Sequence, residues 1–333
     1  MKEYKMLPVV MPPLSTYHYN ACVGVVAMNH PSAYTWYYNS AVDITVEKKF
    51  LNGFTSPLIA VPGNTCYSMP FIQCEKVNLM FTMDYLKEII RNMIDRDFYV
   101  FFSTADDYYI PGKSWYGEKH FRHDGMVSGY DMRDDSFTLT AYDSRWIFRS
   151  FRVPTDSLVQ AFESAFRIGD ANGNLSALKH KRIPILPNPG KVRADIASYL
   201  DSDIRKYPFS DKEPTVHGMA VYPYLVEYLT RLGDGRIPHE RMDRRVFRLF
   251  YEHKALMKGR LSAFAVPSVD SGKKYEAVVT LADRMRFQYK KYELKPSRFD
   301  LELLIGHLEK CGELERAILE EYLENAETEK GGM

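Results

Sequence analysis

The chain has 333 residues, of which 45% are hydrophobic and 26% charged, a composition typical of a globular protein with one large or two ordinary domains. Its 44 lysines and arginines nearly balance its 43 aspartates and glutamates, so it lacks the overall positive charge with which proteins bind nucleic acid or anionic membranes. No apolar run approaches the about 18 residues of a membrane span, and the N-terminus is too short and proline-broken for a signal peptide. We expect a cytoplasmic protein with neither nucleic acid nor membrane among its partners.

The first half of the sequence predicts a sheet and two helices. Apolar residues at helical spacing between Met83 and Ile94 predict an amphipathic helix, and the β-forming run from Phe98 to Ser103 predicts a buried strand. Three further strands, an antiparallel meander, are predicted over 126–130, 137–142 and 146–152, followed by a helix from Thr155 to about Phe166.

The second half is typical of a helical domain. Residues 169–190 are rich in Gly, Pro, Asn and Lys and are interpreted as a linker between a first domain over 1–168 and a second over 191–333. Helices are predicted over 191–202, 216–232, 239–264, 272–292 and 297–325. The fold class is therefore α+β.

Cys22 opens an apolar run that ends before Pro31, so we expect it to begin a short buried helix. A thiol at a helix N-terminus has its pKa lowered by the helix dipole and can act as a nucleophile. An inert core cysteine is the alternative. None of the four cysteines belongs to a CxxC pair or a Cys/His cluster with zinc spacing, and no metal site is predicted.

A cysteine nucleophile needs a base and a group that orients the base. His123 begins one predicted strand, and Asp143 ends the next after a tight turn. Adjacent antiparallel strands place such residues side by side, so we expect a hydrogen bond between them. The order Cys, His, Asp with the histidine on a strand is that of papain-type chemistry.

Three stretches carry a resemblance to a known family: His123 to Asp131 (HDGMVSGYD), Phe101 to Tyr109 (FFSTADDYY), and Phe247 to Arg260 (FRLFYEHKALMKGR). With the early cysteine they resemble the papain-like leader-peptidase fold and, more narrowly, the butirosin biosynthesis protein H family. The resemblance covers both halves, roughly residues 15 to 265. It implies a papain-like catalytic domain with an antiparallel sheet, followed by a helical domain.

The resemblance implies a cysteine-dependent acyltransferase of nonribosomal peptide and polyketide biosynthesis. Such a protein moves an acyl group from a carrier-protein thioester to a small amine, with Cys22 acylated, His123 as general base and Asp143 as the orienting residue. The implied partners are an acyl or peptidyl carrier protein and an amine acceptor. No cofactor is implied, because phosphopantetheine arrives on the carrier. A homodimer is compatible with the resemblance but is not implied by it.

The oxyanion donor and the base each leave alternatives open. Thr16 stands where papain-like enzymes usually have a glutamine, so Asn20, His18 or backbone N–H groups are the oxyanion candidates. His120 lies close to His123 and is the alternative base.

Two further segments are candidate binding surfaces. The acidic and aromatic loop before His123 is interpreted as a substrate loop, with a plain solvent loop as the alternative. Its members are Asp106, Asp107, Tyr108, Tyr109, Trp115 and His120. Four arginines at i, i+3, i+4 and i+7 predict one basic helical face for docking an acidic carrier, or simply a solvated face. They are Arg241, Arg244, Arg245 and Arg248. His253, on the opposite stripe, is predicted to be a hydrogen-bonded core histidine.

Two other functions remain open at this stage. One is a cysteine peptidase or amidase of the leader-peptidase type that uses the same three residues for hydrolysis. The other is a catalytically silent scaffold of the pathway.

Overall fold

A computed structural model describes residues 2–48, 51, 59–63, 68–78, 83–168, 174–202 and 215–331. The strands are β1 Tyr4–Met6, β2 Thr45–Glu47, β3 Ile59–Ala60, β4 Ile72–Asn78, β5 Tyr99–Asp106, β6 Arg122–Asp131, β7 Ser136–Tyr142, β8 Phe148–Pro154, β9 Asn174–His180 and β10 Thr215–His217. The helices are α1 His18–Met28, α2 Ala33–Ser40, α3 Leu86–Asp95, α4 Thr155–Arg167, α5 Pro189–Asp201, α6 Val221–Gly233, α7 Val246–Ala263, α8 Ser271–Lys274, α9 Glu276–Leu294 and α10 Arg298–Gly331.

The chain divides into two compact units, each built from two segments of sequence. The first, unit 1, comprises 1–33 and 64–185, and the second, unit 2, comprises 34–63 and 186–333. The predicted division at 169–190 differs from this in two ways. Residues 34–63 belong with the helical half, and β9, inside the predicted linker, is a strand of the sheet of unit 1.

Unit 1 is an antiparallel sheet with helices packed on it. Its strand order is β4-β9-β5-β6-β7-β8, and β1 pairs with the end of β6. The predicted meander is confirmed as β6, β7 and β8, in which β6 pairs antiparallel with β7 and β7 pairs antiparallel with β8. From Ala21 to Met28 the sequence of α1 is apolar on all sides, and accordingly the helix is buried around almost its whole circumference, in contact with β5, β6, β7 and β9.

A β-bulge lies on β5 next to His123. The pairing of β5 with β6 moves from Phe102 opposite Gly125 to Ala105 opposite His123, so β5 has one residue more than β6 over this stretch. Bulges locally twist a strand and change the direction of its side chains. His123 and Asp124 are adjacent on β6 and would ordinarily point to opposite faces, yet both contact the same imidazole, that of His18.

Unit 2 is mainly helical, with a three-stranded sheet in the order β10-β2-β3. Its core contains a buried ion pair between Lys254 of α7 and Glu315 of α10, 2.7 Å apart. Tyr199, Tyr222 and Tyr275 donate their hydroxyls to the same carboxylate, so α5, α6, α7, α10 and the residue between α8 and α9 meet at this point. A buried charge is tolerated only when it is paired and hydrogen-bonded in this way.

In the described part of the chain, no helix has both the length and the apolar character needed to cross a membrane. The structure is thus an α+β protein with a large antiparallel sheet and many helices.

Candidate functional site

A cluster of buried and half-buried titratable side chains lies in unit 1 where the start of α1 meets the first residues of β6. Its members are His18, His123, Asp124, Lys113 and Asp107. Lysine and aspartate are rarely buried unless paired, and grouped titratable residues with perturbed pKa values are a common mark of a functional site. This cluster is therefore the candidate functional site.

His18 is the first residue of α1, and its two ring nitrogens have different partners. The backbone N–H of Tyr142 donates to Nε2 over 2.7 Å, so Nε2 bears no proton. The proton of the neutral ring is therefore on Nδ1, which lies 2.9 Å from Oδ1 of Asp124. Burial lowers the pKa of His18, although the hydrogen bond with Asp124 acts in the opposite direction. The positive end of the α1 dipole also disfavours an imidazolium here, so His18 stays neutral.

Asp124 is the carboxylate that joins the two imidazoles. Burial by itself raises its pKa, but the hydrogen bond from His18 and the attraction to His18, His123 and Lys113 outweigh burial, so the pKa of Asp124 lies below its usual value. Oδ1 of Asp124 is 3.7 Å from Nε2 of His123. Asp124 is therefore an anion at neutral pH, close enough to stabilise positive charge on His123.

His123 is the most exposed imidazole of the cluster, with 31% of its side chain accessible. Its Nε2 lies 3.3 Å from Nδ1 of His18, and its Nδ1 lies 3.3 Å from Nζ of Lys113. The ring of Phe121, whose centroid is 5.4 Å away, flanks it and is itself partly exposed. His123 is thus the member of the cluster through which a substrate can reach the buried charges.

Lys113 and Asp107 form the other side of the cluster. Lys113 Nζ is 3.4 Å from Oδ1 of Asp107, and both side chains are almost completely buried. Burial raises the pKa of Asp107 to about 6, although Lys113 attracts the charged form. Asp107 therefore titrates close to neutral pH.

Cys22 does not occupy the predicted position. It is the fifth residue of α1, one helical turn after His18, and its side chain is completely buried. Its thiol contacts the carbonyl oxygen of Thr140 at 3.9 Å, and among the described residues no imidazole is within hydrogen-bonding distance of Sγ. Burial, assisted by repulsion from Asp124, raises the pKa of Cys22 well above its usual value. The predictions that Cys22 begins the helix and has a lowered pKa are wrong.

Asp143 follows β7 directly, as predicted, but the predicted hydrogen bond to His123 is not formed. Its carboxylate accepts from the guanidinium of Arg149 and from the backbone N–H groups of Arg145 and Ile147. These contacts fix the turn between β7 and β8. The carboxylates near His123 are instead Asp124 and Asp107, at 3.7 and 3.8 Å.

The two oxyanion candidates are both in α1. Asn20 is buried there, and the Nδ1–H of His18 points to Asp124. His18 is therefore part of the acid–base cluster, and it offers no hydrogen for an oxyanion in this arrangement.

The predicted substrate loop divides into an internal and an outward part. Asp106 is completely buried. Its carboxylate accepts hydrogen bonds from Ser164 and from the backbone N–H groups of Tyr108 and Phe121, and its Oδ2 lies 2.7 Å from Nδ1 of His120. Asp106 therefore holds the loop together instead of binding an amine. His120 belongs to this internal network and to a stacked pair with Tyr108. The ring of Tyr109 packs edge-on against Tyr108, and Trp115 lies beside Phe121. Of the two histidines on this stretch, the structure places His123 in the cluster.

The four arginines do not share one helical face, because α7 begins only at Val246. Arg241 lies in the 3-10 helix His239–Arg241, and the carboxylate of Asp243 accepts from the N–H of Arg245 in a turn that interrupts the helix. The other three arginines pair with acids: Arg244 with Glu293, Arg245 with Asp243, and Arg248 with Glu252. The predicted continuous docking stripe is wrong.

His18, His123 and Asp124 are also close enough to be considered as metal ligands. The three ligand atoms are 2.9, 3.3 and 3.7 Å apart, near the edge length of a tetrahedral zinc site. A metal-bound histidine usually donates its second N–H to an acceptor, whereas Nε2 of His18 accepts from a backbone N–H. A metal on Nδ1 would require a proton on Nε2, opposite the N–H of Tyr142. The donor set therefore suits a hydrogen-bonded acid–base cluster better than a metal.

The remaining cysteines are placed as packed residues or lie outside the described chain. Cys311 is buried in α10, Cys74 is half-buried in β4, and Cys66 lies outside the described residues.

Comparison of the chain with models of known protein families finds no match, and comparison with curated proteins finds none either. The family resemblance noted from short motifs therefore stays a prediction, and the functional interpretation depends on the chemistry of the cluster.

Proposed function

We propose that this protein is an acyltransferase that moves an acyl group from a carrier-protein thioester to an amine, with His123 acting directly on the amine. The observation that carries the proposal is a partly exposed imidazole backed by one buried and one half-buried carboxylate, a buried lysine and a neutral histidine. The motif resemblance in both halves of the sequence supports the substrate class. The acid–base cluster supports the role of His123.

The reaction needs a base because an amine that attacks a carbonyl must lose a proton. His123 accepts this proton while the nitrogen lone pair forms the new C–N bond. The tetrahedral intermediate then expels the thiolate as the C–S bond breaks, and the imidazolium returns the proton to that sulfur. The products are an amide and a free thiol. A positioned base of this kind raises the reaction rate by about 10²–10⁴-fold.

Asp124 and His18 prepare His123 for this role. As His123 becomes positive, the Asp124 carboxylate at 3.7 Å compensates the charge inside a mostly buried site. The hydrogen bond from His18 holds Asp124 in position, and because His18 remains neutral it adds no repulsion.

A direct transfer fits the geometry better than a covalent intermediate on Cys22. The thiol is buried and has a raised pKa, whereas a nucleophilic cysteine needs a populated thiolate and access to substrate. The same facts weigh against the cysteine peptidase alternative. The silent-scaffold alternative predicts no turnover of any thioester donor in the experiment below.

The aromatic side chains next to His123 suit an organic substrate. Phe121 and Tyr116 are exposed, and Trp115, which directly precedes Tyr116, has its ring centroid 6.1 Å from that of Phe121. Aromatic rims of this kind exclude water and bind extended acyl or pantetheine chains through apolar contact. Water exclusion would favour aminolysis over hydrolysis.

The test is to incubate the protein with a panel of acyl-pantetheine thioesters and primary amines, and to quantify amide and free acid by mass spectrometry. His123→Asn should lower amide formation at least about 100-fold. His120→Asn, a neighbouring histidine hydrogen-bonded to Asp106, is the matched control and should stay within about threefold. Equal rates in wild type and His123→Asn, or no turnover of any donor, would contradict the proposal and favour a scaffold.

A further inference from the structure

Lys113 is a buried lysine that takes no part in the acyl-transfer steps proposed above. Only 2% of its side chain is exposed, and its Nζ lies 3.3 Å from Nδ1 of His123 and 3.4 Å from Oδ1 of Asp107. Its loop is held by the bond from its own N–H to the carbonyl of Ile110 and by the N–H of Ser144, which donates to Gly112. The ammonium therefore has a defined position between two acceptors.

The contact with Lys113 determines where the proton of neutral His123 lies. An ammonium group has three donors and no acceptor. Nδ1 of His123 must therefore accept from Lys113, which leaves the ring proton on Nε2, 3.7 Å from Oδ1 of Asp124 and 3.3 Å from Nδ1 of His18. Since Nδ1–H of His18 is also directed at Asp124, the two ring N–H groups converge on that carboxylate and do not bond to each other. Lys113 selects one of the two tautomers.

Asp107 offers Lys113 a second acceptor. Oδ1 of Asp107 is buried and, within the described part of the structure, lacks a hydrogen bond of good geometry, although Nζ is only 3.4 Å away. A buried acceptor without a hydrogen bond is costly, so a small movement of Nζ toward it is favourable once the bond to His123 is lost. Protonation of Nδ1 removes that bond and sets two positive charges against each other.

We propose that Lys113 is a positioning residue that fixes the Nε2–H tautomer of His123 and transfers its hydrogen bond to Asp107 when His123 takes up a proton at Nδ1. This inference rests on the proposed function for its catalytic meaning, since the proton at Nδ1 would come from the attacking amine. Lys113 itself exchanges no proton. Within the described part of the chain, the titratable groups that face His123 include His18 from α1, Asp124 from β6, and Lys113 with Asp107 from the preceding loop.

The experiment is ¹⁵N NMR of histidine-labelled full-length protein between pH 5 and 9, with the His123 signals assigned from a His123→Asn spectrum. In wild type, neutral His123 should show a protonated Nε2 and an unprotonated Nδ1. Lys113→Met should abolish this preference and raise the titration midpoint of His123 by about one pH unit, because a neighbouring positive charge has been removed. Lys119→Met, which removes a lysine 5.3 Å from the Trp115 ring on the same loop, should change neither.

Two more variants test the charge and the hydrogen bond. Lys113→Arg keeps the charge and has donors but no acceptor, so it should preserve the tautomer and leave the midpoint nearly unchanged. Asp107→Asn removes a nearby negative charge and should lower the midpoint.

A protonated Nδ1 in neutral wild-type His123 would overturn the inference, and so would an unchanged tautomer and midpoint in Lys113→Met. The readout needs no substrate. Failure of acyl transfer with the expected NMR behaviour would refute the proposed function alone, whereas the opposite result would refute only the role of Lys113.

Discussion

Replacing Cys22 with alanine separates a packing role from a catalytic one. The side chain is completely buried, and its thiol contacts the carbonyl oxygen of Thr140 at 3.9 Å. Deleting the sulfur removes one buried group of about methylene size, which costs roughly 0.8 kcal/mol in transfer plus a cavity term, or ~1–2 kcal/mol in total. Direct transfer by His123 predicts kcat/KM within about threefold of wild type, because the thiol takes no part in the chemistry.

The assay combines urea unfolding with kcat/KM for the best thioester and amine pair. Cys311→Ala is the control, since that thiol is also fully buried and its removal measures the cost of losing a packed sulfur in unit 2. Loss of a true nucleophile lowers turnover by more than about 10³-fold. A fall of that size in folded Cys22→Ala, with Cys311→Ala unaffected, would refute direct transfer.

Three further predictions concern the buried charges. The pKa of Asp107 is raised to about 6, so the folded protein binds that proton more tightly than the unfolded chain. Stability relative to Asp107→Asn should therefore fall by roughly 2 kcal/mol as pH rises from 4 to 7, and a pH-independent difference in urea unfolding would contradict this. Asp143→Ala should lower stability by about 2–4 kcal/mol, because the carboxylate fixes the turn that carries Trp146. Release of this turn should alter the tryptophan fluorescence, while kcat/KM changes less than about threefold. A fall in kcat/KM near 10⁴-fold would instead support the predicted triad role of Asp143. Lys254→Met should lower the free energy of unfolding by about 3–5 kcal/mol, because it leaves the charge of Glu315 uncompensated in the core. The double variant Lys254→Met with Glu315→Gln should lose less than half as much stability in thermal unfolding. If the effects of the two substitutions were simply additive, this would argue against the pairing.

Local patterns predicted most of the elements. The apolar spacing before Asp95 predicts α3, and the alternating runs after Gly125 predict β6, β7 and β8, because these signals depend on neighbouring residues alone. His253 is confirmed as a core histidine, bonded to the carbonyl of Val42 and with its pKa lowered by burial.

The errors in the fold come from long-range assembly. β9 is a seven-residue strand preceded in sequence by Asn172 and Gly173, and only its pairing between β4 and β5 makes it part of a sheet. Nothing local in residues 34–63 indicates that they pack with the helical half.

The errors in the site come from a single helical turn and from tertiary contacts. The apolar run after Cys22 concealed that α1 begins at His18, and this displaced the thiol from the helix start into the core. Asp124 directly follows the predicted base and could have been found from sequence as its neighbour. The contact between Lys113 and His123 could not, because it depends on the bulge in β5 and on the path of the loop.

The central claim is that acyl transfer proceeds at His123 without an acyl-enzyme. Initial rates measured over a grid of thioester and amine concentrations test it most directly, because a covalent intermediate gives ping-pong kinetics and direct transfer requires both substrates bound together. Direct transfer predicts intersecting double-reciprocal lines and an unmodified intact mass when the thioester is added alone. Parallel lines together with an acyl adduct on Cys22 would contradict it.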